Sequence, residues 1–312
     1  MRIIRDTLYL DPADRGAAAA IGNFDGVHLG HQTVIDITRD AARRAKAPLG
    51  VMTFEPHPRS FFGRSDTPFR LMNAEARANR LDKLGVEKLY EVPFNAALSA
   101  LSPVEFAQQI IVDRLGLTHV VVGADFCFGK DRAGDVAALK QFGADMGFGV
   151  TIADMVDLGD TPISSTAIRT ALSEGRPRDA AKMLGHWHRI EGEVVRGDQR
   201  GRDLGFPTAN MTMTDLHLPH FGVYAVTVDV LTGPHAGRYD GAASIGTRPT
   251  FGENEANCET FLFDFKGDLY GTHLSVALVE YLRPELKFTT VPALIDQMDK
   301  DCALARKILA DV

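Results

Sequence analysis

Near residue 185 the spacing of apolar residues changes from one period to another, so one continuous sheet-and-helix layering cannot serve both halves of the chain. Upstream, Ala17 to Gly22 reads as a strand and Gly30 to Arg44 as a helix. Further strands are expected at Leu49 to Phe54, Lys88 to Val92, Thr118 to Gly123 and Phe148 to Ile152. This is the βαβ rhythm of a parallel sheet covered by helices. Between the strands, Asn73 caps a helix that stops at Gly85. Ser102-Pro103-Val104-Glu105 is a capping box with proline at the first helical position, opening a helix expected to end at Gly116. Downstream, residues alternate apolar and polar over Arg189 to Arg196, Val223 to Val230 and Leu274 to Tyr281. Glycine- and proline-rich turns such as Thr232 to Gly237 break these runs, and Val291 to Leu309 forms a closing amphipathic helix. Period-two alternation belongs to an antiparallel barrel or sandwich. The expected fold class is α/β plus β: a Rossmann-like parallel-sheet domain over 1–184, then an antiparallel β-barrel with a terminal helix over 185–312.

Two domains also suit 312 residues, since each half is long enough to bury its own core. No apolar stretch approaches the roughly 18 residues of a membrane span. Met1 to Asp6 mixes charges into the start and leads to no apolar signal region, so a cytoplasmic protein without membrane partners is expected. Cys127, Cys258 and Cys302 are odd in number and widely spaced, which gives neither a disulfide framework nor a zinc pattern, and all three are read as reduced thiols. A net charge of -7 opposes nucleic-acid binding. Small phosphorylated ligands remain, bound by a monomer or weak homo-oligomer.

Two glycine-punctuated segments point to such ligands. In the first, Gly22-Asn23-Phe24-Asp25-Gly26-Val27-His28-Leu29-Gly30-His31, the histidines fall where the first strand turns into the first helix. Backbone N–H groups at a helix N-terminus favour anions, so a polyphosphate fits there. The plainer reading, a surface histidine beside a capping residue, does not account for Asn23, Asp25 and three glycines spaced four apart. The same half carries Ser164, Ser165 and Thr166 at a helix start with Arg169 one turn along. These residues are either an ordinary cap or hydroxyls and a guanidinium converging on a phosphate at the carboxyl edge of the sheet. Gly123 to Lys130 is not a P-loop, because five residues separate its glycines and Asp131 follows the lysine. Lys130 and Arg132 are either phosphate contacts or a solvated charged loop. In the second segment, Gly201-Arg202-Asp203-Leu204-Gly205-Phe206-Pro207-Thr208-Ala209-Asn210, Thr208 and Asn210 are two apart, so on a strand their oxygens share a face. They could complete the shell of a magnesium ion that also holds ATP phosphates, with Gly197, Gly201 and Gly205 letting the loop close near Arg200 and Arg202. A glycine-rich turn with exposed polar residues has the same spacing.

Taken together, Gly22 to His31, Thr53-Phe54-Glu55-Pro56-His57-Pro58, Asp125-Phe126-Cys127-Phe128-Gly129-Lys130 and Ile163-Ser164-Ser165-Thr166 resemble the adenylyltransferase half of the bacterial bifunctional riboflavin kinase/FAD synthetase family, one of the His-x-Gly-His nucleotidylyltransferases. The Gly201 to Asn210 segment resembles the riboflavin kinase module of the same family. Phe221 to Tyr224, Ile245 to Phe251, Glu259 to Phe265, Leu269 to Gly271 and Leu282-Arg283 keep the family order, so the resemblance covers nearly the whole chain. It implies that domain 1–184 adenylylates FMN and that domain 185–312 phosphorylates riboflavin, with ATP as co-substrate and Mg2+ serving both. It further implies that His28 and His31 hold ATP phosphates, that Ser164, Ser165, Thr166 and Arg169 complete the cradle, and that Glu259 is the kinase's catalytic carboxylate. Phe54, Phe62 and Phe128 become flavin-pocket candidates, because an isoalloxazine ring needs flat apolar contacts. One departure is Cys258, where family members carry valine or a similar residue before that glutamate.

Two other readings compete with this one. One is a cytidylyl- or adenylyltransferase for another phosphate ester with a purely regulatory barrel, which the Pro207-Thr208-Ala209-Asn210 run opposes. The other is a flavin-binding or storage protein with vestigial sites, which the intact His28, His31, Thr208, Asn210 and Glu259 oppose.

Overall fold

Ala17 to Ala20 are all fully buried, and a Cβ added at Gly50 would come within 3.0 Å of the Ala17 Cβ and 3.2 Å of the Ala19 Cβ. Small side chains on both strands therefore set how closely the centre of the first sheet packs. In this computed structural model, residues 1–63, 67–154, 157–158, 161–197, 201, 204–247 and 256–312 are described. Two compact units emerge, one of 1–66 with 77–163 and one of 67–76 with 164–312.

The first unit holds a six-stranded sheet in the order β1-β4-β3-β2-β5-β6, with every neighbouring pair parallel. The strands are β1 (Arg2–Ile4), β2 (Ala18–Ile21), β3 (Leu49–Glu55), β4 (Lys88–Pro93), β5 (His119–Gly123) and β6 (Gly149–Ala153). From β2 the chain winds outward through β3 to β4, then crosses back to place β5 on the other side of β2. This makes β2/β5 the switch point, outside whose carboxyl ends such sheets bind ligands. Helices α1 (Leu29–Ala45), α2 (Pro58–Phe61), α3 (Ala74–Lys83), α4 (Ala96–Ser99), α5 (Pro103–Phe106) and α6 (Val136–Met146) connect them, and β7 (Asp157–Leu158) pairs with β8 (Thr161–Pro162). The expected capping box is present, with the Glu105 N–H donating to Ser102 Oγ and Ser102 N–H to Glu105 Oε2. Beyond Phe106, however, the helix widens into a π-helix over Ala107–Arg114. Its buried residues Phe106, Ala107, Ile110, Ile111 and Leu115 recur every four to five positions, a spacing that a wider turn brings onto one face.

The second unit begins with α7 (Ser165–Ser173) and α8 (Pro177–Leu184). Its strands are β9 (His188–Glu193), β10 (Ala209–Thr212), β11 (Gly222–Val230), β12 (Gly237–Thr247), β13 (Ala256–Leu262) and β14 (His273–Arg283). They form an antiparallel sheet in the order β10-β13-β12-β11-β14-β9, and a bridge between Val195 and Asn210 brings its two ends together into a nearly closed barrel. Alternate residues Tyr224, Val226, Val228 and Val230 fill the barrel with Met211, Ile245, Cys258 and Leu278. The opposite face, Ala225, Ala242, Phe263 and Val279, is covered by α9 (Val291–Leu309) through Ala305 and Leu309. Arg283 at the end of β14 fastens that helix by hydrogen bonds to both carboxylate oxygens of the buried Asp301.

His188, buried where β9 begins, has its pKa pushed down to about 3, first by desolvation and then by the charges of His217 and His186. It stays neutral in the folded chain and takes up a proton on unfolding below the ordinary value of 6.5. This contribution is complete at neutral pH and is lost as pH falls from 6.5 toward 3. Going from pH 7.5 to 5 should therefore cost about 2 kcal/mol through this residue. His188→Gln is expected to shrink the pH dependence of urea unfolding by that amount. Trp187, the single tryptophan, lies next to it and reports the transition by fluorescence. Identical pH dependence in both chains would refute the assignment.

Candidate active sites

At the switch point, the turn after β2 is built from left-handed backbone at Phe24, Gly26 and Val27, with φ of 52°, 86° and 44°. It delivers His28 as the N-cap of α1, where His28 Nδ1 accepts the His31 N–H at 3.3 Å. That bond uses the Nδ1 lone pair, so a neutral His28 carries its proton on Nε2. The two imidazoles stack with centroids 3.6 Å apart, and Phe24 tilts against His31 at 5.1 Å. Gly30 is what admits the stack, since a Cβ there would lie 3.2 Å from the His28 ring. Burial, and secondarily His28, hold the His31 pKa well below its ordinary value. Among the described residues, His31 Nδ1 is shielded from solvent without a hydrogen-bond partner. No acidic residue occupies the first turn of α1, which leaves the positive end of the helix for an anion.

The other expected residues of this half are placed as follows. Gly22 closes β2, its N–H bonded to the Met52 carbonyl. Asn23 is exposed and its carbonyl accepts from Thr53 Oγ1 at 3.2 Å, while Asp25 is buried. Lys130 and Arg132 are exposed on a 3-10 turn after Gly129 rather than on a helix, in keeping with the absence of a P-loop. Phe128 is 5% exposed in the core and stacks on Phe126 at 5.6 Å. Phe54 and Phe62, in contrast, meet on Phe94. Centroids of Phe54, Phe61 and Phe62 lie 5.7, 5.3 and 5.8 Å from Phe94, and Phe62 stays 54% exposed. Sequence alone does not point to Phe61 and Phe94; the Phe61-Phe62 doublet after a Pro-x-Pro turn is the one local signal of the cluster.

Ser164, Ser165, Thr166 and Arg169 fall in the second compact unit. Ser164 is the N-cap of α7, its Oγ accepting the Ala167 N–H at 3.1 Å, and Ser165 and Thr166 form the first turn. Arg169 donates through Nε to the Phe69 carbonyl at 2.6 Å and lies over the Phe69 ring.

On the barrel, Asn210 of β10 stands directly opposite Glu259 of β13, although they are 49 positions apart in sequence. Both face away from the interior that Met211 and Cys258 fill. Asn210 is 7% exposed and its Nδ2 donates to the Thr208 carbonyl at 3.2 Å, leaving Oδ1 buried with no hydrogen-bond partner among the described residues. Gly197 lies so close that a Cβ would sit 2.7 Å from the Asn210 Cγ. Glu259 is half-buried, and Asn257 Nδ2 donates to its Oε1 at 3.3 Å. Thr208 immediately precedes β10. Gly201 accepts N–H bonds from Leu204 and Phe206, and a Cβ on it would meet the Phe206 carbonyl oxygen. Gly205 has φ of 88°. Arg202, with Arg200, lies outside the described residues. Cys258 sits fully buried in the barrel, its thiol pKa raised to about 11 by desolvation, so the departure from the family residue is a matter of packing.

A helix N-terminus at the switch point of a parallel sheet, joined in one chain to a barrel that sets a carboxylate beside a buried amide, fits a two-module transferase of phosphorus-containing groups. Comparison with known proteins names it further. The FAD synthetase family model matches residues 10–167 and the riboflavin kinase model residues 184–309. The chain is 40% identical to the bifunctional riboflavin kinase/FMN adenylyltransferase of Pseudomonas fluorescens, covering 99% of this chain and 98% of that one. The Escherichia coli K12 enzyme of the same name is 37% identical, with 98% and 97% covered. A crystal structure described as a macrolide-efflux protein from Streptococcus pneumoniae superposes with a TM-score of 0.83 at 31% identity, with 98% of each chain covered. Efflux is that protein's own description; among the described residues here, no helix is long and apolar enough to cross a membrane. The chain belongs to the family of bifunctional riboflavin kinase/FMN adenylyltransferases.

Proposed function

We propose that the chain's two activities are divided between the two sites, adenylylation of FMN at the His28–His31 turn within domain 1–184 and phosphorylation of riboflavin at the Asn210–Glu259 pair within domain 185–312. In the first reaction a phosphate oxygen of FMN attacks the α-phosphorus of ATP, and the bond to the β-phosphate oxygen breaks to release pyrophosphate. The nucleophile is already anionic at neutral pH, so no general base is needed; alignment and charge stabilisation suffice. His28 through Nε2–H, His31 and the α1 N-terminus would hold the phosphates where charge grows on the leaving pyrophosphate. A phosphate oxygen is the kind of partner that the buried His31 Nδ1 lacks. Gly22, Asn23 and Asp25 shape this turn. Ser164, Ser165, Thr166 and Arg169, and Lys130 with Arg132, are carried as further phosphate ligands on the family resemblance. Phe54, Phe62 and Phe128 remain the flavin candidates, and Phe61 and Phe94 join them because they share the same aromatic cluster.

In the second reaction the ribityl hydroxyl of riboflavin attacks the γ-phosphorus of ATP while Glu259 takes its proton and ADP leaves. The Asn257 amide orients the Glu259 carboxylate for that transfer. Thr208 and Asn210 would hold Mg2+; a neutral oxygen buried without a partner, Asn210 Oδ1, suits a hard cation. When bound, that ion neutralises charge on the ATP phosphates. Gly201, Arg202 and Gly205 belong to the loop expected over the nucleotide. The observation that carries this reading is the register that sets Asn210 against Glu259. We further place the enzyme in the cytoplasm, in keeping with its three free cysteines.

The test is a time course with riboflavin, ATP and magnesium, with flavins separated by chromatography. FMN is expected to rise and then give way to FAD. Accumulation of FMN alone would remove the adenylyltransferase role, and unchanged riboflavin would remove the kinase role.

A further inference from the structure

A buried ion-pair network lies on the face of β3 and β4 opposite the aromatic cluster, and neither reaction uses it. Arg77, on α3 and 3% exposed at its side chain, donates through Nη2 to Glu55 Oε2 and to Glu91 Oε1, both at 3.0 Å. Glu91, 2% exposed at its side chain, also accepts from Arg5 Nε at 2.9 Å. Removing a guanidinium and a carboxylate from water is costly, and an apolar pair of similar volume stabilises a core at least as well. The network's distinctive product is therefore positional. Register places Thr53 opposite Glu91 and Phe54 opposite Val92, so Glu55 and Phe54 point to opposite faces at the end of β3. On one face Arg77 holds the Glu55 carboxylate. On the other, Phe54 lies edge-on to Phe94, whose N–H donates to the Glu55 carbonyl at 3.0 Å. Three residues later the chain enters α2, which carries Phe61 and Phe62 onto Phe94. The direction in which the chain leaves β3 thus sets whether these rings meet.

We infer that Arg77 is a positioning residue for flavin binding: by pinning Glu55 it fixes the end of β3 and holds Phe54, Phe61, Phe62 and Phe94 as one platform for the isoalloxazine ring of FMN. This rests on the reading of that cluster as the flavin site.

Arg77→Met is expected to raise the KM for FMN in FAD formation about tenfold while kcat stays within about twofold, because the platform and not the phosphate site is displaced. The KM for ATP and the riboflavin kinase rate of the same preparation should not change. Arg77→Lys, which restores a cation, should recover part of the loss. If losing the guanidinium between two carboxylates unfolds the single variant, Arg77→Met with Glu91→Leu removes the most deeply buried charges together and still breaks the Arg77–Glu55 bond, and the same KM shift is expected. A wild-type KM for FMN in a folded variant overturns the proposal, as does a fall in kcat at unchanged KM or an equal fall in kinase rate. Phe62→Ala, run in parallel, separates the two layers. If it leaves the KM for FMN unchanged, the platform itself is misassigned; if it raises that KM while Arg77→Met does not, only the positioning role fails.

Discussion

His31→Ala is expected to slow FAD formation by about two to three orders of magnitude, the usual scale for loss of one preorganised donor at a developing charge, while riboflavin is still converted to FMN at the wild-type rate. Several features make His31 the sensitive member of the turn. Its ring is fixed on one side by the His28 stack and on the other by Phe24, so little freedom is lost when substrate arrives. Burial keeps it neutral in the free enzyme near pH 7, so in the proposed role it would serve as a hydrogen-bonding group and not as a resident cation. Asparagine, which also donates neutrally, should therefore retain more activity than lysine at this position. Chromatography of products from riboflavin and from supplied FMN reads both activities at once. Equal loss of both in a folded chain would contradict two independent sites.

Glu259→Ala should produce the converse, with FMN formation reduced by about 10² to 10⁴ as for other general bases and conversion of supplied FMN to FAD intact. Glu259→Gln should behave in the same way, since it keeps the shape and loses the base. Asn210→Ala separates the neighbouring role, and here the expected change is a rise in the magnesium concentration needed for half-maximal kinase rate. Such a result would follow from loss of the buried Asn210 Oδ1, which has no partner among the described residues. A Glu259→Gln chain with normal kcat would transfer the base function elsewhere, and an Asn210→Ala chain with an unchanged magnesium requirement would leave that ion to other ligands.

Local signals made much of this readable in advance. Val291–Leu309 is a helix over the residues expected, because its apolar face, its Thr290 cap and its proline in the first turn agree with one another. Each expected parallel strand is present within a residue or two, since buried strands read as short apolar runs. What escaped was set by distant partners. β1 is three residues with charged neighbours and no period of its own, and it exists through pairing with β4. Residues 67–76 group with the second unit through contacts such as Asn73 Nδ2 to the Glu191 carbonyl, more than a hundred residues away. The same holds within the sites. Thr208 and Asn210 announced themselves by spacing, yet the partner of Asn210 across the sheet is fixed only by register, and Phe94 joins Phe62 only because two strands end side by side.

If Asn210 serves the kinase as proposed, the missing side chain at Gly197 would also separate working copies of this barrel from decayed ones. Asn210 can hold its amide where it does because position 197 is bare; the space a methyl group would need is already taken by that amide. In a descendant chain that had ceased to phosphorylate, position 197 could drift to alanine or serine while Thr208, Asn210 and Glu259 were still spelled out. A survey scoring only those three residues would count such a copy as a kinase, whereas the occupied glycine would mark it as a relic.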